Sequence, residues 1–458
     1  MAKKQVFVYL GSLGLALSLV SLPALAADDW ADEEDDWGSD WEEPQEPLLP
    51  FRLGGFVEAA GGAHIHSNKV VEDRMDKEYN LGETRLRLEV DGDWKDIDYS
   101  LKVDGLADGV DEELRGELRE ALISTSTGPV DWRAGRQVLT WGTGDLLFIN
   151  DLFPKDWQSF LIGRDEDYLK GPSDAIRGTW YAGEVTVDAV WSPLFQEDNY
   201  PDGDRLSYWG PLTDANGNLT GQMGQTAQPV SDMAEEPDDF PEDGEVALRL
   251  ATRQAGIEYE AYGYWGFWPQ PNDQREMMQG GKAAHPQLHV YGVSLRTSIG
   301  PGLFNAEAGY YDSRDYDSQQ ANMTPNSEAR FLMGYDWELI SNLNVGLQYY
   351  LEWTQDYDEQ EAAWVDMGMQ EMAGEEYRQL LTTRLTYRQW RGDLIWSLFA
   401  FASPSDEDYY LRPSVTYRAS DALTLSAGGN VFGGENDYSF FGQFEKDSNL
   451  YARARYRF

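Results

Sequence analysis

The chain has 458 residues, of which 81 are acidic and 36 are Lys or Arg, so its formal net charge is −45. Cys is absent, which excludes disulfides, thiolate zinc sites, iron–sulfur clusters and covalently attached haem. The acidity argues against nucleic acid as a partner, because phosphate binding needs a basic face. Aromatic residues reach 13%, which favours one long barrel over the two or three soluble domains that the length suggests.

The first 50 residues differ from the rest of the chain. Lys3 and Lys4 precede an apolar stretch that ends in Ala24-Leu25-Ala26, a small-x-small cleavage pattern. This predicts a secretory signal peptide over residues 1–26, with an uncleaved membrane anchor as the alternative. Residues 27–50 hold eleven acidic residues and no base, which predicts a disordered periplasmic tail. Its three tryptophans suggest, as the alternative, a docking motif for a periplasmic partner or the cell wall.

From residue 51 onward, apolar and polar residues alternate with period two, as in strands that have one apolar and one polar face. In the last segment, Leu450, Ala452 and Ala454 alternate with Tyr451, Arg453 and Arg455. Eighteen segments of this kind can be assigned: 51–63, 81–93, 97–105, 117–125, 130–141, 175–182, 185–192, 245–253, 256–268, 287–299, 302–313, 328–338, 343–355, 376–389, 392–402, 407–419, 421–432 and 447–458.

The connections between these segments alternate in length. Every even-to-odd connection is a tight turn, as at Trp94-Lys95-Asp96, and most odd-to-even connections are long. This pattern is typical of a bacterial outer-membrane barrel, in which short periplasmic turns alternate with long external loops. We therefore predict an all-β fold over residues 51–458, a transmembrane antiparallel β-barrel of 16–18 strands, with 18 the best estimate. Such a sheet must close, because every backbone polar group in hydrocarbon needs an internal partner.

Aromatic residues at strand ends are expected to form the interfacial girdles of the barrel. The alternative is that they fill a soluble core. The residues concerned are Trp94, Trp132, Trp141, Trp191, Trp268, Tyr349 and Trp390.

The C-terminal strand runs from Tyr451 to a terminal Phe458, with an aromatic or apolar residue at every second position. It resembles the signal that the outer-membrane barrel insertion machinery of Gram-negative bacteria reads, and the chain as a whole resembles a porin-type barrel. The resemblance implies location in the outer membrane, contact with its lipid and lipopolysaccharide, recognition by the assembly machinery and passage of small solutes. It also suggests a homotrimer, as porins often form.

A narrower resemblance covers about forty residues. Gly135-Arg136-Gln137, Trp141-Gly142, Ile149-Asn150-Asp151 and Pro154-Lys155-Asp156 are similar to a motif of large uncharacterised outer-membrane families, and alginate-export barrels share the Gly-Arg-Gln strand. The motif names no substrate and supports the fold more than the function.

The segment from Gly142 to Asp174 is the third external loop in this strand order. In porins this loop commonly folds into the barrel and narrows it, and apolar runs such as Leu146-Leu147-Phe148-Ile149 and Phe160-Leu161-Ile162 need burial. A lid over the outer rim is the alternative. The predicted constriction residues are Asp145, Asp151, Asp156, Arg164, Asp165, Glu166, Asp167 and Lys170.

Arginines recur on the polar faces of the predicted strands and are expected to line the pore wall. Opposite an acidic loop they create a transverse field across the lumen. The alternative is that each pairs with an acidic residue of a neighbouring strand and stiffens the wall. The predicted wall residues are Arg85, Arg87, Arg119, Arg133, Arg177, Arg249, Arg384, Arg412, Arg453 and Arg455.

No motif predicts a cofactor, a metal site or a catalytic residue. The acidic stretches Asp198–Asp204 and Asp214–Asn218 lack a complete calcium-loop pattern, and His64-Ile-His66 is a weak metal pair better explained as a rim position. We predict a passive channel for small or medium hydrophilic solutes rather than an enzyme. The alternatives are transport of an anionic polysaccharide or organic acid, a sleeve around a periplasmic partner, and a hydrolase with a site at the rim.

Overall fold

The computed structural model describes residues 51–66, 79–201, 203, 205–213, 219–227, 234–276, 281–321, 323–368 and 370–458. The predicted signal peptide and acidic tail lie outside these residues. The described chain forms one 18-stranded antiparallel sheet, which closes because its first strand pairs with both the second and the last. The predicted all-β transmembrane barrel is confirmed, with the upper of the two strand numbers.

The 18 barrel strands agree with the sequence expectation to within four residues at each end. Strands β1–β18 span Phe51–His64, Leu81–Trp94, Ile97–Asp108, Glu113–Thr127, Val130–Val138, Pro172–Ala182, Val185–Ser192, Glu245–Gln254, Ile257–Phe267, Gln287–Ile299, Gly302–Ser313, Glu328–Ile340, Leu343–Thr354, Tyr377–Gln389, Leu394–Ser403, Asp408–Arg418, Leu423–Gly434 and Asn449–Arg457. Each strand is antiparallel to both of its neighbours, so strand direction alternates around the barrel.

One end of the barrel carries tight turns and the other carries long loops. The turn residues Lys95 and Asn342 have φ of 59° and 68°, and Gly183 has φ of 70°, values that two-residue hairpin turns require. At the opposite end, only the connections 109–112 and 404–407 are short. The connection between β7 and β8 contains a separate hairpin, Tyr208–Thr213 with Leu219–Thr226.

The polarity of the barrel is reversed relative to a soluble protein. Glu58, Arg85 and Asp104 are 6%, 2% and 0% exposed on the inner face. On the outer face, large apolar side chains remain open, as hydrocarbon contact requires. Those more than 40% exposed include Leu53, Val57, Leu86, Leu88, Ile123, Ile176, Leu250, Val293, Phe331, Met333, Leu347, Leu381 and Leu450.

The aromatic residues at strand ends divide into two groups. Trp94, Trp132, Trp191 and Trp390 are between 39% and 64% exposed on the outer face, as girdle residues should be, and the hydroxyl of Tyr349 bonds to Gln379 on the outer face of the next strand. The prediction is wrong for Trp141 and Trp268, which are 8% and 5% exposed. Both follow the end of a strand, where the chain turns into the barrel and the alternation no longer sets the side-chain direction.

In the described parts of the long connections there are two α-helices: α1, Trp157–Ile162, between β5 and β6, and α2, Tyr357–Asp366, between β13 and β14. In the described part of the chain, neither helix has the length and hydropathy that a membrane span needs. Helix α1 is almost fully buried and belongs to the segment inside the barrel.

Candidate functional site in the barrel lumen

Residues 139–171, which we call the inner loop, connect β5 to β6 through the interior of the barrel. The loop makes side-chain contacts to inward-facing residues of β2, β3, β11, β13, β14, β16, β17 and β18. Its apolar residues Ile149, Phe160 and Ile162 are no more than 2% exposed and belong to a continuous hydrophobic cluster with the barrel wall. The loop therefore crosses the lumen instead of covering the outer rim.

The start of the inner loop is fixed by polar side chains of β11 and β13. The Glu307 carboxylate accepts the backbone N–H of Gly144 at 2.8 Å and that of Thr143. The side chain of Gln348 accepts the N–H of Asp145 at 2.7 Å and donates to its carbonyl at 2.8 Å. These bonds satisfy loop backbone groups that would otherwise be buried without partners.

The middle of the loop is fixed at the junction of β17 and β18. The amides of Asn430 and Asn449 both donate to the carbonyl of Leu161, at 2.9 and 3.1 Å. Gly163 ends helix α1 with φ of 89°, and a Cβ there would lie 2.2 Å from the ring of Tyr451. Glycine is required at this position both by the left-handed backbone and by the contact with the wall.

The end of the inner loop carries an acidic cluster that meets four wall arginines, which we call the charge cluster. Asp165 lies 3.0 Å from both Arg453 and Arg455. Glu166 lies 3.2 Å from both Arg384 and Arg412. Asp145, from the start of the loop, lies 2.8 Å from Arg384. The acids and arginines therefore touch, in contrast to the expected arrangement of two charged faces separated by an open lumen.

The charge cluster keeps Asp165 ionised. Burial alone would raise the pKa of Asp165, but the guanidinium groups of Arg453, Arg455 and Arg412 and the backbone N–H of Asp167 together outweigh burial and hold its pKa below the usual value of 3.8. The group is therefore a carboxylate at neutral pH. Its bonds to β18 are lost only under strongly acidic conditions.

A second anchor lies beside β2 and β3. Arg164 forms a buried ion pair with Glu83 and donates to the hydroxyl of Ser159 at 2.8 Å. The ring of Tyr168 packs against three guanidinium groups, with Arg85, Arg119 and Arg87 at 4.2, 5.0 and 5.2 Å from its centroid. Its hydroxyl donates to Asp104 at 2.9 Å.

Besides Arg164, four predicted constriction residues lie apart from the charge cluster. Asp151 is buried and pairs with Lys155 at 3.0 Å, and Asp156 caps helix α1 by accepting the N–H of Ser159 at 2.8 Å. Both therefore organise the loop itself. Asp167 and Lys170 line a cavity, where Lys170 donates to the hydroxyl of Thr140 at 2.8 Å.

Some wall arginines pair with acidic residues of neighbouring strands and others face the acidic inner loop, the two arrangements that the sequence left open. Arg85 and Arg87 pair with Asp104 at 2.8 and 2.5 Å, and Arg177 pairs with Asp188 at 2.8 Å, all on neighbouring strands. Arg249 joins Asp188 at 3.0 Å and Glu260 at 3.2 Å. These pairs hold adjacent strands together, whereas Arg384, Arg412 and Arg453 bind the inner loop. Arg455 does both, because it lies 3.0 Å from Asp165 of the loop and 2.7 Å from Glu58 of β1.

Two cations on the wall have other surroundings. Arg119 occupies a β-bulge between β3 and β4 and donates to the carbonyls of Lys170 and Asp167 at 2.9 and 3.3 Å. Arg133 lies on the exposed part of the inner face, opposite Arg177 in the register. Among the described residues, neither Arg119, Arg133 nor Lys170 has a carboxylate within ion-pair distance.

Cavities lie on both sides of the inner loop. On the long-loop side, a chamber of about 640 Å³ opens into an outer mouth of about 1160 Å³. On the short-turn side, cavities of about 570 and 540 Å³ include Arg384 and Glu166, respectively, in their linings. The cavities on one side share no lining residue with those on the other, and the inner loop with its charge cluster lies between them.

Sequence reasoning missed the polar residues that hold the inner loop. Tyr168, Glu307, Gln348 and Asn430 are 3%, 4%, 8% and 0% exposed and all contact the loop or its anchors. A usable signal was present in three of them, because Glu, Gln and Asn at inward positions of otherwise ordinary strands indicate something polar inside the barrel.

No metal site emerges from the geometry. Within the residues that the structure describes, no three His, Asp or Glu side chains converge as ligands. Asp202, Asp204 and residues 214–218 lie outside those residues. Asp198 instead accepts hydrogen bonds from the backbone N–H of Lys155, the indole of Trp157 and the hydroxyl of Tyr200, at 2.7, 2.9 and 3.0 Å.

Comparison with known proteins identifies the fold. No protein-family model matches the chain, and no curated protein matches its sequence. The solved structure of OccAB3 from Acinetobacter baumannii aligns with 89% of this chain and 99% of its own, at 9% identity and a TM-score of 0.50. The outer-membrane channel DcaP of the same species aligns with 89% of this chain and 97% of its own, at 11% identity and a TM-score of 0.43. The chain thus shares the closed barrel fold of OccAB3.

Proposed function

We propose that the protein is an outer-membrane channel of a Gram-negative bacterium through which small hydrophilic solutes diffuse passively. The observation that carries this proposal is the reversed polarity of a closed barrel, with leucines such as Leu53 and Leu381 exposed outside and ionised groups such as Arg85 and Asp104 buried inside. A surface of this kind is stable only in lipid, and a polar lumen suits water and polar solutes.

In this proposal, the inner loop is the constriction and the charge cluster sets selectivity. Fixed charges in a narrow lumen act strongly on passing ions, because field lines concentrate there. The predicted constriction and wall residues, the assembly role of Phe458, the surrounding lipopolysaccharide and a homotrimer remain part of this proposal. Transport, rather than a reaction, is the proposed activity.

A second candidate is a channel that prefers anionic solutes such as organic acids or acidic saccharides. It is favoured by Arg119, Arg133 and Lys170, which have no carboxylate partner within ion-pair distance among the described residues. Arg119 and Lys170 line the cavity of about 540 Å³ on the short-turn side of the inner loop, so this candidate places the attraction of an anion there.

Planar-bilayer recording with the purified full-length protein tests the function and its selectivity. Stepwise conductance in KCl is expected, and protein unfolded by heating in detergent is the control. Under a KCl gradient, a reversal potential that indicates cation preference supports an acidic constriction, whereas anion preference supports the second candidate. Absence of conductance from protein whose barrel fold is verified by circular dichroism would overturn both.

A further inference from the structure

We propose that the chamber on the long-loop side of the inner loop is a binding site for organic amines that carry an aromatic or aliphatic body. The chamber is the cavity of about 640 Å³ described above, and it opens through the outer mouth. This volume falls within the roughly 300–1,000 Å³ typical of ligand sites. The inference adds a ligand site to the proposed channel and rests on that function only in assuming that the mouth faces the medium.

The inner part of the chamber is apolar. Phe148 and Trp157 of the inner loop line it, and Phe401 and Tyr410 of the wall face them. Leu146 and Leu380 complete this lining. A polyhydroxylated solute makes few hydrogen bonds with this lining, whereas binding here removes the apolar surface of a hydrocarbon body from water, which is favourable.

The outer mouth is acidic. Among the described residues, five carboxylates, from Glu328, Glu352, Glu361, Glu375 and Asp406, line it against the single guanidinium of Arg378. Acidic walls at the entrance of a cleft raise the local concentration of cations. The charge of the mouth therefore selects a cationic head group for a ligand whose body fits the chamber.

The carboxylates and rings meet at the neck, where Glu328, Glu352 and Arg378 line both the mouth and the chamber. The rings in this region already face cations of the protein: Arg330 lies 4.0 Å from the centre of the Tyr311 ring, and Arg378 lies 4.8 Å from that of Phe440. The surroundings of the neck thus favour positive charge beside aromatic faces.

The carboxylates around the neck outnumber the guanidinium groups that pair with them. Arg330 lies 2.6 Å from Glu328 and 3.5 Å from Glu352, and Arg378 lies 2.7 Å from Asp406. Three carboxylates therefore share two arginines at the neck.

One hydrogen-bond acceptor at the mouth also points to a donor ligand. Asn326 lines the mouth and is 4% exposed, and its side-chain oxygen has no hydrogen-bond partner among the described residues. Its amide nitrogen is already used, donating to the carbonyl of Gln355 at 2.7 Å. A buried acceptor without a partner is costly, and a primary ammonium group supplies the missing donor.

Titration calorimetry with the purified full-length protein in detergent tests the site with four probes, three of which are matched in size. The probes are 2-phenylethylamine, the neutral 2-phenylethanol, the anion phenylacetate, and ethylamine, which has the head group without the ring. We expect 2-phenylethylamine to bind at least about tenfold more tightly than each of the other three. Raising KCl should weaken its binding, because screening reduces attraction to the mouth.

Charge variants locate the site. Glu352→Gln is expected to weaken binding of 2-phenylethylamine roughly tenfold and to leave that of 2-phenylethanol unchanged. Glu361→Gln, at the rim and away from the arginines, should weaken binding of 2-phenylethylamine about twofold. This variant replaces Glu352→Gln in the test if Glu352→Gln does not fold. Asp421→Asn removes one charge at a tight turn on the other end of the barrel and is expected to have no effect.

The outcomes separate this inference from the channel function. Equal binding of the amine and the alcohol, tighter binding of phenylacetate, or amine binding that neither Glu352→Gln nor Glu361→Gln changes would overturn the amine site. Absence of binding together with normal KCl conductance would also overturn it and leave the channel intact. Binding of the amine without any conductance would support the site and overturn the channel.

Discussion

At the scale of single residues, the lumen is organised by polar side chains that bind the backbone of the inner loop. The side chains of Glu307 and Gln348 accept hydrogen bonds from the backbone N–H groups of residues 143–145. The side-chain amides of Asn430 and Asn449 donate to the carbonyl of Leu161. Such bonds fix a loop more firmly than surface ion pairs do, because a buried backbone group left without a partner carries the full desolvation cost.

Asp198 gives this organisation a dependence on pH. Its carboxylate joins the connection after β7 to the inner loop, and burial raises its pKa to about 6. A raised pKa means that the folded protein binds the proton more tightly than the unfolded chain. The resulting stabilisation is lost as pH rises through about 6 and is gained as pH falls from 6 towards 3.8.

We therefore expect hydrogen–deuterium exchange over residues 193–201 to slow between pH 7.5 and pH 5, after correction for the intrinsic rate. The gain in local stability should be about 1.4 kcal/mol. Asp198→Asn removes the titrating group and should flatten this dependence. Faster corrected exchange at pH 5 in the unaltered protein would contradict the assignment.

At the scale of elements, the inner loop acts as one unit because its two ends meet at the same arginine. Asp145 and Glu166 are 21 residues apart in the chain, yet both contact Arg384. Asp165 extends the contact to β18, beside the seam where the barrel closes. The loop is thus held by the wall at several points, and the loss of its acidic groups should release the segment around residues 164–168.

The double variant Asp165→Asn with Glu166→Gln tests this arrangement. It leaves Arg412 and Arg453 without a carboxylate partner on the loop and leaves Arg384 with Asp145 alone. We therefore expect higher single-channel conductance and a shift of the reversal potential towards anion preference. The matched control is Asp96→Asn with Asp421→Asn, which removes the same charge at tight turns far from the loop. Unchanged conductance and selectivity in the first variant would show that these ion pairs do not govern the pore.

At the scale of the whole molecule, the closed sheet fixes which face of every strand meets lipid. Leu381 lies on the outer face of β14 between Tyr377 and Tyr387, and it is 48% exposed. Asn344 lies on the inner face of β13 and lines the cavity that contains Arg384. The two positions therefore experience hydrocarbon and water, respectively.

Leu381→Arg should lower the free energy of unfolding in lipid vesicles by about 2–4 kcal/mol, because it places a charge on the lipid face. Asn344→Arg adds the same charge to the water-filled side and should change the free energy by less than about 1 kcal/mol. Denaturant titration of both variants gives the comparison. Equal losses at the two positions would contradict the assignment of the outer face to lipid.

Much of the fold could be predicted from the sequence because period-two alternation is a local property. Neighbouring residues on a strand point to opposite faces whatever the distant chain does, so the strands, their faces and the tight turns follow from short segments. The need to pair every backbone group in lipid then requires closure. Only strand ends were uncertain, as at Trp141 and Trp268, where the alternation stops and the chain turns inward.

The sequence by itself thus determined the strands, their faces and the residue types that line the lumen. The tertiary structure decided which of them meet. The partners in the charge cluster are far apart in the chain, as Asp145 and Arg384 are, because closure of the barrel brings distant strands around one loop. No local pattern records such a pairing, so whether an arginine bonds to a neighbouring strand, as Arg177 does, or to the inner loop, as Arg412 does, depends on the folded barrel.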